Sequence, residues 1–197
     1  MLVETSRIRV YPDFAKTTFL VYALIGSIAV FFLATFIAYS TRFVFGDPLL
    51  AGAPKLPLLL WWSTGILFLG SHFLFRAYAL VRREKQKQFR IALTVSFFLG
   101  GLFCIVQTIG ITQLTYQHWE QADNQTGSIA SVMLMVFLHM AHFAAGYIAL
   151  GYVLLQAYRG RYDHEYTNGV RLAAIYWRFL DVIWLCMLLL FWLAAHH

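Results

Sequence analysis

The stretch LAAIYWRFLDVIWLCMLLLFWL, residues 172–193, decides the fold. It exceeds the ~18 apolar residues that mark a membrane-spanning helix. Yet it carries Asp181 near its middle and Arg178 one turn earlier. An ionisable group at the bilayer centre costs a few kcal/mol or more, so it needs a partner and a reason. Four further apolar runs lie upstream, at roughly 17–39, 57–81, 91–114 and 129–158. The composition agrees with five spans. Of 197 residues 60% are hydrophobic and 12% charged, against ~25% charged in soluble domains. Mean hydropathy is +0.66. These values exclude a disordered tail, a collagen-like fibre and an ordinary soluble enzyme. The expected fold is all-α: a polytopic membrane protein with five transmembrane helices, forming one helical-bundle domain over 1–197.

Orientation follows from the basic residues. Arg7, Arg9 and Lys16 precede the first run. Arg82, Arg83, Lys85, Lys87 and Arg90 follow the second, and Arg159, Arg161 and Arg171 follow the fourth. The intervening loops hold only Arg42 and Lys55. The positive-inside rule places the N-terminus in the cytoplasm and the C-terminus outside. The formal charge of +6 then reflects inner loops rather than nucleic-acid binding. The first run follows a polar start and exceeds the length of a signal core, so it is read as a retained span. Pro12, Pro48, Pro54 and Pro57 lie in loops or at a helix entry. No span is therefore expected to be broken by proline, which disfavours a transporter with discontinuous helices.

Trp61, Trp62, Tyr116, Trp119, Tyr176, Trp177 and Trp192 lie toward span ends, at headgroup level or in the core. Ala141, Ala145 and Ala149, and Ser96 with Gly100, have the four-residue spacing of close helix contacts. Cys104 and Cys186 lie inside apolar runs and read as buried thiols. Asn124-Gln125-Thr126 matches a glycosylation sequon but carries little weight alone.

The chemistry-bearing residues are the polar ones inside the runs. His139 and His142 are three apart on one face of the fourth run, in the layer of Asp181. The expectation is that Asp181 accepts a hydrogen bond from one of them and ties spans four and five. Gln107 is expected to bond across helices. Two histidines also raise haem b ligation, with His72 paired to His139 or His142. His72 lies nearer the cytoplasmic end, a depth mismatch for axial ligands. A metal site lacks a Cys or carboxylate cluster at ligand spacing. No GxSxG, P-loop, GxGxxG or HExxH motif occurs. The residues read as a helical module with a polar knot of His139, His142, Arg178, Asp181 and Gln107.

Three segments carry a resemblance. Tyr176-Trp177-Arg178-Phe179-Leu180-Asp181-Val182-Ile183-Trp184 resembles the last-helix signature of haem–copper oxidase subunit III, approximately YWHFVDVVW. Phe137-Leu138-His139-Met140-Ala141-His142 resembles that family's GFHGLHV segment, and Leu99-Gly100-Gly101-Leu102-Phe103 with Gln107 resembles LGxxFxxxQ. Their order and the five-span layout are similar to the short bacterial form. The resemblance implies a subunit of a cytochrome c or quinol oxidase in the bacterial inner membrane. It implies no catalytic residue, haem, copper or other metal in this chain, the haems and copper residing in partner subunits. It implies packing against subunit I within a complex that also holds subunit II, bound phospholipid, and support of proton uptake and oxygen access. Three positions depart from the pattern. Arg178 stands for a His, suggesting a local ion pair with Asp181. Met140 stands for a Gly. Gly110 stands where a buried Glu is common, so that glutamate's proton role does not carry over. The alternatives are a related partner of a nitric oxide reductase, a haem-b-binding membrane anchor and a small transporter.

Overall fold

A computed structural model describes residues 14–41, 45, 58–119, 126–162 and 167–194. The sequon at 124–126 and the loops holding Arg42 and Lys55 fall largely outside them. Five helices account for most of the described chain: α1 (Phe14–Tyr39), α2 (Leu58–Val81), α3 (Gln86–Trp119), α4 (Thr126–Tyr158) and α5 (Asn168–Ala194). All five are long and apolar enough to span a membrane, and no strand occurs among the described residues.

The apolar runs predict the spans but understate the helices. α3 begins at Gln86 and not at Ile91, because Gln86 to Arg90 are good helix formers outside the apolar window. The expected loop from Arg82 to Arg90 thus shrinks to the turn at 82–85.

That turn has a specific geometry. Lys85 N–H bonds to the Leu80 carbonyl (3.2 Å) and Glu84 N–H to that of Val81 (3.2 Å). Glu84 adopts a left-handed φ of 58°. This is a Schellman end with a non-glycine residue at its left-handed position. α4 ends the same way. Arg161 N–H bonds to Gln156 (3.1 Å) and Gly160 N–H to Ala157 (3.2 Å), with Gly160 at φ 68°. Both ends lie at the basic end of the bundle, where Asn168 Nδ2 also donates to Thr18 Oγ1 (3.2 Å) and joins α5 to α1.

α2, α3, α4 and α5 pack in a ring, each touching the next. Aromatic rings fill its centre: Phe103 meets Phe143 at 4.9 Å, Phe143 meets Trp177 at 5.0 Å, and Trp184 meets Phe103 at 6.2 Å. α1 lies outside the ring against α4 and α5. Among the described side chains of α1, Ile28, Phe32 and Tyr39 are the buried apolar ones, one narrow seam on a helix otherwise facing outward. The outward apolar side chains, such as Phe19, Val30, Phe98 and Ile148, suit contact with lipid.

Trp61, Trp62 and Tyr116 are exposed near helix ends, as headgroup anchors would be. Trp177 is not one of them, because it is buried at the ring centre. The Ala141, Ala145, Ala149 row is exposed, whereas Ser96 and Gly100 are buried. Cys104 is half-buried and Cys186 exposed, contrary to the expectation of two buried thiols.

At the basic end Tyr162 packs edge-on against Phe89 (6.4 Å), and Gln86 Nε2 donates to its carbonyl (3.0 Å). A Cβ on Gly169 would lie 2.6 Å from the Tyr162 hydroxyl. Burial first, and Tyr152 second, push the Tyr162 phenol up to about 12.

Gly160→Ala forces a Cβ into the left-handed region and should cost about 1 kcal/mol, whereas Glu84→Gly should add a few tenths to 1 kcal/mol. Thermal unfolding in detergent, followed by circular dichroism, measures both. Tyr162 has a raised folded value, so its contribution is full below pH ~10, the unfolded value. It is lost as pH rises toward about 12. Tyr162→Phe should flatten that part of the pH–stability curve.

Candidate functional site

Hydroxyl groups of α2 organise the buried polar residues. Ser71 Oγ donates to Asp181 Oδ2 of α5 at 2.5 Å. Two turns along, Thr64 Oγ1 accepts from the indole N–H of Trp184 (3.0 Å) and donates to the Leu60 carbonyl (2.7 Å). Ser63 Oγ donates toward Gln107 Oε1 of α3 and the Leu60 carbonyl, both at 2.8 Å. In return Ser96 of α3 donates to the Gly70 carbonyl of α2 (2.9 Å). All these side chains are buried. The result is a polar seam through the apolar bundle, joining α2 to α3 and α5.

Gln107 therefore makes the expected interhelical bond, and Ser63 is its partner. Asp181 does not bond to a histidine. Its depth matches His139 and His142, but its carboxylate turns toward α2. His142 Nδ1 instead donates to the Leu138 carbonyl one turn back (2.6 Å). His139 is buried with both ring nitrogens unpartnered. It stacks on Trp184 at 5.7 Å and meets Phe32 edge-on at 6.3 Å. Phe32 also contacts His142 (5.8 Å). The histidines thus form the seat of α1. Shared depth is readable from residue counting, but the rotation of α4 about its axis is not.

Arg178 departs from expectation as well. It forms no ion pair with Asp181 among the described residues. The carboxylate points inward while the guanidinium lies exposed over Phe75, 5.5 Å from its ring. His72 lines the same outward groove between α2 and α5. His72 is thus exposed on that groove, whereas His139 is buried. Among the described residues no group of three or more His, Cys, Asp or Glu could hold a metal ion.

Two glycines admit the bulky residues of the signature segment. A Cβ on Gly146 would lie 2.8 Å from Tyr176 Cε1 and 3.2 Å from Leu180, and one on Gly100 3.0 Å from Trp177. Tyr176 seated on Gly146 also donates its hydroxyl to the His142 carbonyl (3.2 Å). At Gly110 the space for a side chain is taken by Leu60, 3.1 Å from an added Cβ. Sequence reasoning missed Ser63, Thr64 and Ser71. Their signal was present in the hydroxyl pair Ser63-Thr64 and the seven-residue step to Ser71, two helical turns on one face.

Ser71→Ala leaves the buried Asp181 without its donor and should cost about 1–2 kcal/mol. Asp181→Asn keeps an acceptor for Ser71 and should cost less. Gly146→Ala drives a methyl into Tyr176 and should cost about 1–3 kcal/mol. Thermal unfolding of the three variants in one detergent ranks them, and equal melting temperatures for S71A and wild type would refute the seam's energetic role.

The family described as Cytochrome c oxidase subunit III matches residues 16–195. Among curated relatives, a "Probable quinol oxidase subunit 3" of Staphylococcus aureus (strain USA300) is 27% identical over 133 residues, 66% of this chain and 63% of that protein. A "Probable cytochrome c oxidase subunit 3" of Rickettsia felis is 30% identical over 127 residues, 62% of this chain and 43% of that protein. The chain thus spans less than two thirds of the length of these relatives. The family match runs through all five helices and takes in the Ser71–Asp181 bond and the glycine seats of Tyr176 and Trp177: the chain belongs to the cytochrome c oxidase subunit III family.

Proposed function

We propose that this chain is the non-catalytic subunit III of a bacterial respiratory haem–copper oxidase fed by cytochrome c or quinol. The family match over residues 16–195 carries this reading. The chain binds and stabilises the catalytic subunit I, in a complex that also contains subunit II. Oxygen reduction and proton translocation take place at haems and copper held by those partners. The chain itself supplies a rigid helical body. Its buried groups, Asp181, His139 and Gln107, serve to fix α5, α1 and α3 in place.

Several further features belong to the same proposal. The chain sits in the bacterial inner membrane with its N-terminus and basic turns in the cytoplasm and its C-terminus outside. Arg82, Arg83, Arg159 and Arg161 then lie beside anionic headgroups, and phospholipid binds the outward helix faces. The chain supports proton uptake and oxygen access through the stability it lends subunit I. Gly110 leaves it without a buried carboxylate at that position, so any such support does not pass through one there.

The test is extraction from native membranes in mild detergent, followed by mass spectrometry and optical spectra. A haem–copper subunit should copurify in about equal amount. A chain that emerges alone with a b-type α-band, or with unrelated proteins, would overturn the reading.

A further inference from the structure

We infer that the outward groove between α2 and α5 seats a transmembrane helix of a neighbouring subunit, whose carboxylate pairs with Arg178 near mid-membrane. The inference rests on the proposal that the chain works inside an oxidase complex, and it names the face used there. The groove has a volume of about 720 Å³ and is lined by Phe68, His72, Phe75, Ile175 and Arg178. Apolar walls flank two nitrogen-bearing groups, and this composition asks for an apolar occupant with one acidic or acceptor group.

Depth identifies the anion. The spans run Leu58–Val81 and Asn168–Leu193. His72 and Arg178 each lie two or three residues from the centre of their span, roughly 4 Å along the axis. A guanidinium carries its charge at any working pH. Left unpaired at this depth it is strongly disfavoured. Fully extended, an Arg side chain reaches roughly 7 Å. The headgroup region begins roughly 15 Å from the midplane. Arg178 therefore falls several ångströms short of a lipid phosphate, whereas a carboxylate on an adjacent helix can stand at its own level.

Among the described residues no carboxylate touches Arg178, and Asp181 acts on it only through space. α2 contains no Asp or Glu, and the one acidic residue of α5, Asp181, is turned inward to Ser71. Arg178 has no hydrogen-bond or ion-pair partner among the described residues, and its ring contact with Phe75 leaves its donors unspent. The neighbouring groove shows what fits such a space. On the other side of α5, α1 fills the groove between α4 and α5, with Phe32 against His139 and His142 and Tyr39 against Phe191. The α2/α5 groove is the corresponding seat, still open and carrying the charge.

The test uses membranes that contain the whole complex. A benzophenone amino acid is placed at position 75, inside the groove, and separately at position 137, on the exposed face of α4. After irradiation and mild extraction, adducts are mapped by mass spectrometry. Position 75 should capture a transmembrane peptide of another subunit that contains Asp or Glu. R178E should lower recovery of that subunit with this chain by at least about tenfold, R178K by much less, and exchanging the captured acid for Arg should restore recovery in R178E. The crosslink needs no charge change, so it decides even where R178E reduces the amount of folded chain. Lipid adducts alone at position 75, with protein adducts at position 137, would overturn the groove assignment while leaving the subunit reading intact. If neither position captures protein and no oxidase subunit copurifies, the subunit reading fails as well.

Discussion

A carboxylate at the middle of a bilayer-spanning helix must find its hydrogen-bond donor inside the protein, and the architecture follows from how Asp181 meets that demand. Its donor is a serine on α2, at 2.5 Å. A hydroxyl is short, so it can reach a carboxylate only if the two backbones run close. The same helix presents Ser63 and Thr64 to Gln107 and Trp184, and it receives Ser96 at the Gly70 carbonyl. Each bond is modest, since interhelical hydrogen bonds in membranes average about 0.6 kcal/mol. Together they fix the rotation and register of α2 against two neighbours, which apolar packing alone leaves loosely specified. Lipid and leucine are equally apolar, so polar contacts and close fit decide which helix faces which.

Fit supplies the other half of the specification. Tyr176 and Trp177 are adjacent in sequence and point to different partners, one seated on Gly146 of α4 and the other on Gly100 of α3. A large residue on α5 thus meets an absent side chain on neighbouring α4 and on α3 across the ring, and the ring closes around Phe103 and Phe143. α1 shares less of both devices. It joins α5 through the Thr18–Asn168 bond at the basic end and the ring through a seam that includes Ile28, Phe32 and Tyr39. Its place outside the ring is consistent with that narrower contact.

The number and approximate limits of the helices were legible because the bilayer imposes a length, and runs such as 172–193 meet it without ambiguity. The family was legible in Tyr176–Trp184 for a physical reason, since two aromatics and an acid at that spacing reach three different neighbours. What stayed hidden was azimuth. Counting residues puts His139, His142 and Asp181 at one depth, yet it cannot tell that the histidines face α1 while Asp181 faces α2. The alanine row at 141, 145 and 149 misled for the same reason, because small residues permit close approach without requiring it. Gln107 was read correctly as an interhelical bond, but its partner is a serine, a residue too common in helices to stand out.

Arg178 shows how local departures redistribute roles. A histidine there, as the resemblance leads one to expect, could shed its charge at this depth, whereas arginine cannot. Asp181 could have neutralised it from one turn away on the same helix. It acts on it only through space and forms no ion pair, because the carboxylate is already committed to Ser71, and leaving that buried bond would strand the hydroxyl and reopen the α2–α5 contact. The seam that holds the bundle together therefore forces the guanidinium outward, over Phe75 and into the groove. A charge turned from the core toward mid-membrane lipid then has only the through-space field of Asp181 within the chain and gains from an anion beside it. The interior's solution to one buried charge thus leaves, on the outer face, a cation that favours an acidic neighbour.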